Sequence, residues 1–374
     1  MTTNDNSIDA KPDKPTVVDD ALPRVEPPNA GFILQLFFIP MIIVSIIVMV
    51  WLMFSWLAHM GTNPSDLVER LEKGDDAAWQ RAGILADMLQ NPQKQHLRID
   101  KELATKLVEI LRNEIDKGGS DKKRVTDNQI NLRVYLCRTL GEFHLPLVLP
   151  ALVEALETER DGSRIEPLSP KGERSLTELD VRRAALEAIA VLSTNIDRKI
   201  LLENKKLMMA LKTASREKGD PGRDEYLRRE LRSTAAFVLG VIGGEDALQW
   251  LDLVMDDPYA NTRFNAATGL ARHGDARAVP ELVDMLDLKN DDVVVDEKHE
   301  TGRQFKRSLV ISTALEASKA LIAKNEEDSL AELRAAIEML VDADLPRKVR
   351  EEAKAILESL KERKSLVNSS SSSG

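Results

Sequence analysis

The chain has 374 residues, a formal net charge of −10 and a pI near 5.3. That acidic balance, with only 4% aromatic residues, argues against nucleic-acid binding, which needs a basic footprint and stacking platforms. The single cysteine, Cys137, excludes an internal disulfide framework and a cysteine zinc site, and its apolar neighbours mark it as a small buried hydrophobe.

Met1 to Ala30 is rich in Asp, Pro, Lys and Thr and lacks periodicity, so residues 1–30 are expected to be a disordered tail. Phe32 to Ala58 then runs for 27 residues without an Asp, Glu, Lys or Arg. A helix needs ~20 apolar residues to cross the hydrocarbon core, and residues 31–59 are therefore expected to form one transmembrane helix. A secretory leader has an apolar stretch of only ~7–15 residues behind a short basic start. This run is longer and comes after an acidic tail, so an uncleaved anchor is the better reading. Pro40 can kink it, and Trp51 and Trp56 suit the interface at its far end. Lys and Arg are balanced across it, with Lys14 and Arg24 before and Arg70 and Lys73 after. The lack of a disulfide framework favours a cytoplasmic location for the body beyond the anchor.

From Pro64 onward the pattern is a short helix, a turn, an amphipathic helix and a tight turn, repeated. Asn63 is a plausible cap, with Pro64 at the first helical position. The expected first helices are 64–72, 100–116, 146–157, 198–215, 245–255, 277–287 and 328–342. The expected second helices are 76–90, 128–142, 178–193, 224–242, 260–273, 303–324 and 346–362. The first and last pairs would cap the array. Leu, Ala, Glu, Lys and Arg dominate and β-branched runs are scarce, so the class is all-α. The repeat body spans residues 62–364, and residues 365–374 form a Ser-rich tail expected to be flexible.

The second helices share a frame. In Thr262 to Leu270, Arg263 is followed at +3 and +4 by Ala266 and Ala267 and at +7 by Leu270. Leu231-Arg232 to Gly240 and Val181-Arg182 to Ile189 fit it, and Val349-Arg350 to Leu357 fits it with less Ala. Leu132-Arg133 to Gly141 fits it with larger residues at the Ala positions. Positions +3, +4 and +7 share one face. Small residues there let helices approach closely, while Glu187 should lie on the exposed face.

These helices resemble the second helix of HEAT repeats, including the HEAT-like repeats named after phycobilisome lyases. Thr262-Arg263, Ala266-Ala267, Leu270, Gly274-Asp275 and Ala278-Val279-Pro280-Glu281-Leu282 carry the resemblance best. It implies a right-handed α-solenoid of about seven helix pairs that works as a protein-binding scaffold, mostly inside cells.

Long insertions separate the helices within pairs, at Asp116–Asp127, Thr158–Thr177, Glu217–Arg223 and Leu288–Gly302, whereas links between pairs are short. All four loops should project from one edge, where repeat proteins often bind. Candidate partner contacts are Lys122, Lys123 and Arg124 in the first loop, Arg160, Arg164 and Lys171 in the second, and Asp291 and Asp292 in the last. Basic and acidic loops along one edge could orient a charged partner.

No phosphate loop, nucleophile elbow or kinase signature occurs. His299-Glu300 is a lone pair, whereas one HEAT-fold hydroxylase family holds iron through several such pairs. Asp256-Asp257 suits a helix-end role. The expectation is a non-enzymatic, cofactor-free, single-pass membrane scaffold for a protein partner. The alternatives are a HEAT-fold enzyme, lyase-like or metal-dependent, and a structural subunit of a membrane complex.

Overall fold

A computed structural model describes residues 30–59, 63–120, 126–158, 176–219, 225–325 and 330–371. They divide into two units, one ending at Thr62 and the other beginning at Asn63. In the first, Ala30–His59 forms one helix, α1, with Pro40 inside it. Its window Phe37–Ser55 has mean hydropathy 2.8 and no buried share, so it is long and apolar enough to cross a membrane.

The second unit starts on a strong local signal. The Asn63 side chain accepts from the Ser65 amide at 3.3 Å, and Pro64 opens α2 (Pro64–Glu72) where its missing N–H costs nothing. Then come α3 (Ala78–Gln90), α4 (Lys101–Ser120), α5 (Asp127–Gly141), α6 (Leu149–Leu156) and α7 (Glu178–Ser193). After these are α8 (Arg198–Glu203), α9 (Lys205–Ala214), α10 (Glu225–Ile242), α11 (Glu245–Val254) and α12 (Ala260–Arg272). The last are α13 (Val279–Leu286), α14 (Glu300–Ile322), α15 (Ala331–Leu340) and α16 (Arg347–Ser371). Among the described residues there is no strand. Each of α2, α4, α6, α9, α11, α13 and α15 packs on the helix after it. The second helices α3, α5, α7, α10, α12, α14 and α16 also pack each on the next, forming one row.

The shared frame explains that row. Ala235, Ala236, Ala266, Ala267 and Leu270 are fully buried. Gly240 and Gly269 bring the α10 and α12 backbones into contact: a Cβ on Gly269 would lie 2.7 Å from the Gly240 Cα. Gly141 plays a similar part between α5 and α7, since its Cβ would meet the Ala188 backbone at 2.8 Å. Cys137 is fully buried in the common core, and desolvation pushes its thiol up to about 12.

Several boundaries differ from the sequence reading for identifiable reasons. The helix expected over 198–215 is two, because Asn204 leaves the helical region and caps α9 by accepting from the Leu207 amide at 3.0 Å. The helices expected from 146 and 277 begin as 3₁₀ turns at Pro146–Val148 and Ala276–Ala278, with proline entering the next helix at its first turn. Pro92–Ile99 is a further 3₁₀ stretch, started by Asn91, whose side chain accepts from the Gln93 amide at 2.8 Å. α16 continues to Ser371, into the stretch expected to be a flexible tail. Serine costs a helix only a few tenths of a kcal/mol per residue, and neither Gly nor Pro intervenes before Gly374. The expected N-terminal tail lies outside the described residues.

Candidate functional site

The frame arginines have a purpose that helical spacing alone does not show. Arg133 Nη1 donates to Glu178 at 2.6 Å, with the two side chains 1% and 8% exposed. Arg182 donates to the Leu156 carbonyl just before α6 ends and to both carboxylate oxygens of Glu217, which Arg228 also contacts. Arg232 meets Asp257, Glu225 and the Glu217 carbonyl. Burial opposes its charge, but the bonds to Asp257 and Glu225 hold its guanidinium above the ordinary value. Arg263 takes Glu281 and the Asp257 carbonyl. Arg307 in α14, outside that frame, takes the Leu288 and Asn290 carbonyls and Asp291. Arg133 joins two second helices, while the others hold second helices to the ends of first helices and to the loops that follow them. They set the openings of α5, α7, α10, α12 and α14 along one edge and satisfy carbonyls left open where first helices end.

A groove of about 550 Å³ is lined by α3, α5 and α7. Its floor is apolar: Gly83 and Ile84 come from α3, and Ala188 and Val191 from α7. At one end the Trp79 and Tyr135 rings lie 5.6 Å apart, tilted by 32°. Gly83 leaves room for that arrangement, since a Cβ there would already touch the Tyr135 ring at 3.4 Å. Arg138 stands over Tyr135 at 5.5 Å and reaches Glu187 at 3.8 Å. At the other end Gln90 donates to Glu142 at 2.8 Å, with Asp87 beside them on the lining. Glu187, half-exposed, lines the groove and receives both Arg138 and Arg183.

The loop candidates are placed only in part. Lys122, Lys123, Arg124, Arg160, Arg164 and Lys171 lie outside the described residues. Asp291 and Asp292 sit in a 3₁₀ turn, Asp291–Val294, capped by Asn290. Asp291, 79% exposed, pairs with Arg307 at 3.2 Å and Arg303 at 3.6 Å, and Asp292 pairs with Arg263 at 3.5 Å. Both therefore tie the acidic loop to α12 and α14. Asp257 accepts from Arg232 at 2.7 Å and from the Tyr259 amide at 2.8 Å, a structural role at the entry to α12. Among the described residues no three His, Cys, Asp or Glu gather as a metal site.

A family profile described as HEAT repeats matches residues 227–297, from the first turn of α10 through α13 and the acidic turn. Residues 227–297 are therefore similar to HEAT repeats. A structure of human deoxyhypusine hydroxylase in complex with glycerol aligns over 76% of this chain and 97% of that one, at 17% identity and a TM-score of 0.25. So loose a superposition carries no inference. No curated protein matches the chain.

Proposed function

We propose that the chain is a single-pass membrane-tethered scaffold that binds and positions a protein partner without catalysis or a cofactor. Its repeats form about seven helix pairs in a right-handed α-solenoid, most like the phycobilisome-lyase group of HEAT repeats, and face the cytoplasm. The observation that carries this reading is the groove on α3, α5 and α7, where apolar and aromatic side chains stay open beside a buried core. HEAT arrays commonly bind other proteins, and α1 has the length and hydropathy of a membrane span. The loop edge, with Lys122, Lys123, Arg124, Arg160, Arg164, Lys171, Asp291 and Asp292, supplies further contacts to the same partner. Nucleic acid is not a partner of a chain this acidic.

The test uses the full chain in its native membranes, with a photo-crosslinking amino acid at Ile84 or Val191 in the groove, or at Met209 on α9. A discrete adduct from the groove positions that disappears with Trp79→Ala is the expected result. Equal adducts from Met209, or none from the groove, overturn the docking reading. Release of the chain by alkaline carbonate overturns the anchor.

A further inference from the structure

The groove is graded along its length. Trp79 lies at the start of α3, and Asp87 and Gln90 at its end. The rings of Trp79 and Tyr135 thus form an aromatic end, Ile84 and Val191 a middle, and Asp87 with Glu142 an acidic end. Eight residues of helix separate Trp79 from Asp87, or about 12 Å at 1.5 Å per residue.

The charges facing the groove are unequal. Its lining holds the carboxylates Asp87, Glu142 and Glu187 against one guanidinium, Arg138. Glu187 is taken by Arg138 and Arg183. Asp87 meets no cationic side chain among the described residues, and the donor to Glu142 is the neutral amide of Gln90. The nearby Arg98 is outside the lining, and its guanidinium caps α3 by donating to the Leu89 and Gln90 carbonyls. Two carboxylates therefore remain uncompensated at one end of an apolar trough. Phosphate-bearing occupants are disfavoured there by like charge. Lysine and arginine match it, because their aliphatic stems cover apolar surface while the charged head reaches a carboxylate.

We propose that the groove binds a basic protein segment that places a large apolar side chain between Trp79 and Tyr135 and a Lys or Arg against Asp87 and Glu142. This rests on the groove being the docking face. A separation of about 12 Å corresponds to roughly four residues of extended chain or eight of helix.

The full chain in detergent micelles is panned against a phage-displayed random dodecapeptide library, and the winners are resynthesised for affinity measurement. Enriched peptides should carry Lys or Arg four or eight positions from an aromatic residue or leucine. Their affinity should fall by about tenfold or more on Trp79→Ala and on the double variant Asp87→Lys/Glu142→Lys, and by less on the neutral pair Asp87→Asn/Glu142→Gln. Asp87 is exposed and Glu142 half-exposed, and an unchanged circular dichroism spectrum checks the fold of each variant. Peptides that depend on Trp79 but lack basic residues, or bind the charge-reversed variant equally well, overturn this proposal and leave the docking face standing. Absence of any peptide that depends on Trp79 overturns both.

Discussion

Two stretches of the second-helix row start from the same frame and reach opposite surfaces. Between α10 and α12, alanines fill the +3 and +4 positions on both helices, and Gly240 lies against Gly269. There the two helices touch backbone to backbone. In α5 the same positions hold Leu136 and Cys137, both fully buried, while Tyr135 turns outward to meet Trp79. The larger residues keep the core filled, and the displaced bulk stands up as the wall of a groove. The groove thus lies where the repeat departs from its small-residue pattern, and the Gly240–Gly269 contact where it keeps that pattern.

What the two stretches share is the buried arginine series, and breaking it has the largest expected effect. Arg133→Met in α5 and Arg232→Met at the closed seam each take the guanidinium away from a buried carboxylate, Glu178 and Asp257 respectively. Each should cost ~3–5 kcal/mol, read from denaturant unfolding of the full chain in detergent. A loss confined to one of them would mean that the series is not a common device.

The seams themselves separate at the next level. Gly269→Ala, Ala235→Leu and Ala266→Leu overpack the closed seam and should cost ~1–3 kcal/mol each. At the groove, Gly83→Ala meets only the edge of a ring, and the helix preference for alanine, up to ~1 kcal/mol, offsets that contact. It should be close to neutral, as should Glu109→Leu on an exposed helical face, within ~0.5 kcal/mol. Equal costs at Gly83 and Gly269 would erase the distinction between open and closed seams.

The smallest effect is a pH dependence specific to the closed seam. His273 Nε2 lies 2.9 Å from the Gly240 carbonyl. Burial, reinforced by the charges of Arg198, Lys324 and Arg272, holds its imidazole below the ordinary 6.5, outweighing the hydrogen bond that favours the charged form. The unfolded chain then binds the proton more readily than the folded one. The stability this group contributes is present above 6.5 and is lost as pH falls through the lower folded value. Thermal midpoints measured from about pH 7 down to about pH 5 should fall less in His273→Gln than in the parent chain. Parallel curves would remove His273 from the acid response.

Much of this was legible in the residues. The apolar run at Phe32 to Ala58, the Asn63-Pro64 start and the alternation of first and second helices are local, because periodicity and caps depend on neighbours within a turn or two. Boundaries slipped where a single side chain intervened, as at Asn204, or where Pro150 and Pro280 set a 3₁₀ entry. The acidic loop read as open surface, yet the fold pairs Asp291 and Asp292 with arginines on α12 and α14.

Helical periodicity assigned Arg133, Arg182, Arg232 and Arg263 to a recurring position. It left open what they hold, because most of the carboxylates that answer them lie 18 to 45 residues away. It also showed which face of each second helix is buried. The distance between two such faces depends on the pairing of their side chains: Gly240 against Gly269 closes the gap, and Trp79 beside Tyr135 opens it. The sequence alone determined the helices and their apolar stripes. The groove exists only through contacts among three helices that are distant in the chain, so tertiary packing decided it.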